Sequence, residues 1–116
     1  MRDGFQTFLR QVQLQQWTEA QQSADRISTH MGATHVMSLR AQGYLSLRRG
    51  NLVQAKTYYL QLQQALPDDR EAGLNLALID WRSGDKEAAS RRVGALEEKF
   101  PSDPEVRALS HNVRTP

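Results

Sequence analysis

Residues 43–69 read GYLSLRRGNLVQAKTYYLQLQQALPDD, and residues 77–103 read ALIDWRSGDKEAASRRVGALEEKFPSD. Slid by 34 positions, the two stretches are one unit written twice. Arg48 falls on Arg82, Gly50 on Gly84, Ala55 on Ala89, Leu62 on Leu96, Pro67 on Pro101 and Asp69 on Asp103. Just beyond, Glu71 falls on Glu105. Gly43 meets Ala77, both small, and Leu47 meets Trp81, both large. A fixed period of this size marks stacked repeats, none of which buries its apolar face alone.

Each unit reads as helix, tight turn, helix, loop. Gly50 and Gly84 stand where a left-handed residue ends the first helix. Asn51 and Asp85 follow, at the position of a cap for the second helix. Ala55 and Ala89 are small and face Gly43 and Ala77, so the paired helices approach closely. That contact accounts for a glycine inside a helix, which costs about 1 kcal/mol relative to alanine. Pro67 and Pro101 stop the second helix. Asp69 and Asp103 are placed to cap the next one, with Glu71 and Glu105 near its positive end.

This pattern resembles the tetratricopeptide repeat family, with its 34-residue helix-turn-helix unit. Small residues stand at Gly43/Ala77 and Ala55/Ala89, glycine at Gly50/Gly84 and proline at Pro67/Pro101. The run AQGYLSLRRGNLVQA at 41–55 looks like bacterial members. Gln42 departs from the pattern, because the family usually has a large apolar residue there. The resemblance implies an all-α, right-handed solenoid: one domain over 1–116, with a divergent repeat at 1–33, repeats at 34–68 and 69–102, and a capping or truncated helix at 103–116.

Outside the two matching units the signals are weaker. Residues 3–15 read as a helix capped by Asp3, with Phe5, Phe8, Leu9 and Val12 on one face. Gln15-Gln16 takes the place of the glycine turn, and Trp17, Ala20, Ala24 and Ile27 carry a second helix. Ser28 to Ala33, with Gly32, reads as a break. Further helices are expected at 34–49, 52–65, 70–83, 86–99 and from Pro104 to about Asn112. In the last, proline takes a first-turn position, and Val106, Leu109 and Val113 form an apolar face.

The chain has 116 residues, a formal charge of +2 and a hydrophobic fraction of 39%. That charge is too mild to argue for nucleic acid by itself. With no cysteine, disulfides, thiolate metal sites and cysteine nucleophiles are excluded. No apolar run approaches the roughly 20 residues of a membrane span. Arg2 and Asp3 lead into a mixed helix rather than the apolar core of a leader peptide. The reading is a soluble segment, periplasmic or cytoplasmic. The histidines, His30, His35 and His111, lack the spacing of a zinc site. There is no phosphate-binding glycine loop and no nucleophile–base constellation. Neither metal, cofactor nor catalysis is expected. The many glutamines and the pairs Arg48-Arg49 and Arg91-Arg92 read as solvated faces, and Tyr58-Tyr59 as one buried and one exposed ring.

The resemblance implies a non-enzymatic scaffold whose first helices line a partner-binding groove. Carried over by position, the groove residues are Arg40, Tyr44, Leu47 and Arg48 from one repeat and Asn75, Leu78 and Arg82, with Glu71, from the next. Phe5, Leu9 and Gln13 extend the surface. Such a mixture suits an acidic protein or peptide segment. The plainer alternative packs Leu47 and Leu78 between helices and leaves the arginines in water. A chaperone-type carboxylate clamp is disfavoured. Arg40 and Asn75 match two of its positions, but Tyr44, Glu105 and Leu109 replace the others. The resemblance also implies an envelope-linked setting such as secretion, pilus assembly or exopolysaccharide export. Two further readings are an arginine surface for an anionic polymer (nucleic acid or acidic polysaccharide) and a spacer in a longer repeat array.

Overall fold

The structure, a computed structural model, describes residues 2–115, with side chains from residue 4 onward. Seven helices run through the described residues, with no strand. They are α1 (Arg2–Gln13), α2 (Trp17–Met31), α3 (Val36–Arg48), α4 (Leu52–Ala65), α5 (Arg70–Arg82), α6 (Lys86–Lys99) and α7 (Pro104–Arg114). They form two compact units, Met1–Ala65 and Leu66–Pro116. The all-α class and the helix-turn-helix repeat are as the spacing predicts. No described helix is long and apolar enough to cross a membrane.

In the first unit, Phe8 and Val12 of α1, Ala20, Ala24 and Ile27 of α2, and Ala41 and Leu45 of α3 make one buried cluster. Phe5, Leu9, Trp17 and Tyr44 pack around it, half-buried. α3 and α4 meet at Gly43, where an added Cβ would lie 3.1 Å from Tyr59 Cε2 and 3.3 Å from Tyr58 Cβ. The glycine therefore holds a close approach, as its place in the repeat suggests. Tyr59 is fully buried and Tyr58 half-buried. In the second unit, Ala77, Ala89, Val93, Leu96, Val106, Leu109 and Val113 form the core.

The turns divide by chemistry. Gly50 and Gly84 adopt φ of 79° and 89°, the left-handed region that glycine enters without penalty. At the end of α1 the same task falls to Gln15, at φ 57°. Asp69, Asp85 and Asp103 each accept a backbone N–H at the start of α5, α6 and α7. Asn51 differs: its side chain donates to Gln54 Oε1 at 2.8 Å.

Three expectations change. α2 continues through Ser28–Met31 and ends at Gly32, so the break is shorter than Ser28–Ala33. Ser28 stays helical and accepts a hydrogen bond from Gln42 at 3.2 Å. α3 begins at Val36, because His35 adopts an extended backbone and accepts from Met37 N–H through its ring. α1 is already helical at Arg2, and the Asp3 side chain expected to cap it lies outside the described residues.

Candidate functional site

Consider first the residues of the first unit. Tyr44 is half-buried against the α1–α2–α3 core, its ring 6.5 Å from Phe8 in an edge-on arrangement. Phe8 in turn lies 5.7 Å from Phe5. Arg48, one turn further along α3, donates to the Tyr44 hydroxyl at 3.0 Å, with its guanidinium 5.8 Å from the ring centroid. The two side chains thus form one amphipathic patch, consistent with an i, i+4 pair on a helix surface. Arg40 is half-buried and has an interaction of its own. Leu47 does not join this surface. It is only 5% exposed, so its expected place among the groove residues is corrected to the interior. Of the flanking residues, Phe5 and Leu9 pack on the core and Gln13 is exposed.

In the second unit α5 and α7, whose N-terminal ends lie together at Arg70 and Asp103, leave a cleft of about 240 Å³ between them. Leu74, Asn75, Leu78 and Trp81 line it from α5, one face of a helix at the i, i+1, i+4, i+7 spacing. Glu105, Ala108, Leu109 and Asn112 line it from α7. Asn75 and Leu78, singled out from the repeat register, therefore sit side by side in one concave surface. Arg82 is exposed at the last turn of α5 and is not among the lining residues. Glu71 is half-buried and engaged elsewhere.

An ion cluster fixes one end of that cleft. Arg70, the first residue of α5, bonds Asp103 through both Nε and Nη2, the latter at 3.0 Å, and Glu105 at 2.9 Å. The paired guanidinium holds the Asp103 carboxyl down at about pKa 2, helped by N–H donation from Val106 and Glu105. The two carboxylates raise the Arg70 pKa in return. One cation and two carboxylates leave a net negative charge at the Glu105 wall. That charge opposes a C-terminal carboxylate in the cleft, so a carboxylate clamp does not suit it.

Sequence reading missed several of these side chains. Arg70 carries no repeat signal, although its carboxylate partners Asp103 and Glu105 are 33 and 35 residues away, close to the repeat period. Arg92 was grouped with solvated charge. Instead its Nε donates at 2.7 Å to Asp80, which is 1% exposed. An aspartate inside the apolar run Leu76–Trp81 was the available hint. The glutamines are also more structural than a wetted face. Gln11 accepts from Ser23 Oγ at 2.6 Å, and Gln42 donates to Asp25 at 3.1 Å and accepts from Gln21 at 3.3 Å. Among the described residues no group of three or more His, Cys, Asp and Glu is placed to hold a metal ion.

Paired antiparallel helices, glycine-ended turns and an open cleft between successive first helices define a helical repeat protein built for contact. Residues 46–111, more than half of the chain, match the family model of the tetratricopeptide repeat, and the chain belongs to that family. No curated protein matches it. Tetratricopeptide repeats generally mediate protein–protein interaction.

Proposed function

We propose that the chain is a non-enzymatic scaffold that holds a segment of a partner protein in the cleft between α5 and α7. The supporting observation is the joint placement of Asn75, Leu78, Trp81 and Asn112 around an apolar floor. Leucine and tryptophan offer area for an anchoring side chain, and the two amides offer donors and acceptors for a peptide backbone. Binding residues of this kind concentrate energy in a few aromatic and aliphatic contacts. In the first unit the Tyr44–Arg48 patch is a second contact surface, and its arginine carries the preference for acidic partners. The envelope-linked setting belongs to the same proposal and rests on family likeness.

The test is recovery of partners from source-cell extract by the parent chain and by two variants. Leu78→Asp puts a charge into the cleft. Val53→Asp alters α4 at a side chain that is 80% exposed. A protein retained by the parent and by Val53→Asp, and lost from Leu78→Asp, supports the cleft. Retention by all three removes the cleft from the proposal.

A further inference from the structure

At about 240 Å³, the cleft between α5 and α7 is smaller than the roughly 300–1,000 Å³ of a pocket that encloses a drug-sized ligand. It has room for one or two side chains of a longer segment. Leu74, Leu78 and Trp81 are half-buried on its α5 wall, and Leu109 is buried on its α7 wall. An apolar side chain seated there removes this surface from water.

Glu105 is the one charged residue among those lining the cleft. Arg70 does not neutralise it, because the guanidinium is already committed to Asp103 through both Nε and Nη2. Asp103 Oδ1 also accepts the Glu105 and Val106 N–H groups that open α7, so the positive end of that helix is spent on its own cap. Glu105 is the surplus carboxylate. Its Oε1 accepts from Arg70 Nη2 at 2.9 Å, its Oε2 has no partner among the described residues, and its side chain is 70% exposed. An open carboxylate oxygen beside an apolar floor selects for a cation. At the far end, Arg82 stands one turn beyond Leu78 on α5, exposed and outside the lining residues. On α7, Arg107 is not among the lining residues and Arg114 is paired with Glu97.

We propose that the occupant of this cleft is a basic peptide segment: an apolar residue seated on Leu78 and Leu109, with a lysine or arginine to one side of it bonded to Glu105. The proposal rests on the α5–α7 cleft being the partner site and adds the chemistry of the partner. For this unit it reverses the acidic partner that the repeat register suggests, because Arg82 lies outside the lining and Glu105 within it. Glu105 is one turn, about 6 Å along the axis, from Leu109. An extended segment rises about 3.3 Å per residue, so the basic residue falls within about three positions of the apolar one. Arg82 repels a second basic residue on the opposite side, which fixes the order in which the segment lies.

The experiment selects peptides from a phage library of random 12-residue sequences on the immobilised chain and, in parallel, on Leu78→Asp. Enriched sequences are made as labelled synthetic peptides and titrated by fluorescence anisotropy. The expected result is a motif lost from Leu78→Asp, with lysine or arginine within three residues of an apolar or aromatic side chain and on one side of it. Glu105→Lys should weaken such a peptide about tenfold. The same peptide with glutamate for its basic residue should bind the parent weakly and Glu105→Lys more tightly, a gain that also shows the variant is folded. Enrichment that depends on Leu78 but shows no basic preference, or an acidic one, overturns this inference and leaves the cleft as the partner site. A basic motif indifferent to Glu105→Lys overturns it as well. No enrichment, or enrichment unchanged by Leu78→Asp, removes the cleft and this inference together.

Discussion

Gln42 of α3 and Leu76 of α5 occupy the same register position, and they hold their helices by opposite means. Gln42 is half-buried and exchanges hydrogen bonds with Gln21, Asp25 and Ser28 of α2. Leu76 is fully buried and has no polar atom to satisfy in its side chain. The difference extends through each unit. Around α2, side-chain contacts between helices run through amides and hydroxyls, as in Gln11 with Ser23. In the second unit they run through ions: Arg70 with Asp103, Arg92 with Asp80, Lys99 with Asp68, and Arg114 with Glu97 at 2.7 Å. The same repeat therefore tolerates an amide seam or an ionic seam, provided each buried polar group finds a partner.

The comparison predicts graded effects. Leu76→Gln, which writes the α3 solution into α5, brings a polar amide into an apolar site without the partners Gln42 has. It should cost about 3 kcal/mol in urea unfolding. Gln42→Leu should change stability by less than about 1 kcal/mol, because exposed Asp25 can turn to water. Equal losses from the two would break the comparison. Next in size, Asp80→Ala should cost about 2 kcal/mol and speed amide exchange in α5 and α6, since Arg92 loses a buried partner but is itself a quarter exposed. Gln15→Gly should stabilise the chain by about 1 kcal/mol, because glutamine carries a steric penalty at φ 57° that glycine does not. An unchanged melting temperature would remove strain from the account of that turn.

The smallest effect is acid sensitivity confined to the ionic unit. Asp103 is held near pKa 2, below the usual carboxylate value of 3.8, and Glu97 is lowered by Arg114 and Ser110. A depressed carboxylate contributes stability above its unfolded pKa and loses it as pH falls through the folded one. For Asp103 that window lies between about pH 4 and pH 2. Amide exchange in α7 should accelerate across it. In Asp103→Asn, which keeps a capping side chain, the acceleration should be reduced.

Much of the fold was legible because it rests on local residues. Gly50, Gly84, Pro67, Pro101 and the aspartate caps act on their own backbone or the next few residues, and α4 to α7 end within a residue or two of where they point. Their 34-residue recurrence also placed Asn75 and Leu78 on one helix face. The N-terminal part was harder to read because the turn of the first repeat uses Gln15 and the α3 cap of the second uses His35, side chains with no strong preference for either task. Leu47 was misjudged for a different reason. Register names the helix face a residue points from, but burial depends on how closely the next helix approaches.

Sequence by itself determined the class, the repeat period, the helix boundaries of the second unit and the family to which the chain belongs. Those follow from dihedral preference, capping and apolar spacing, which are properties of short segments. Only the tertiary structure decided that Leu47 is interior, that Asp80 pairs with Arg92, and that Arg70 gathers Asp103 and Glu105. Each depends on side chains brought together across helices, and the energy of such contacts is set by distance, burial and partner rather than by position along the chain.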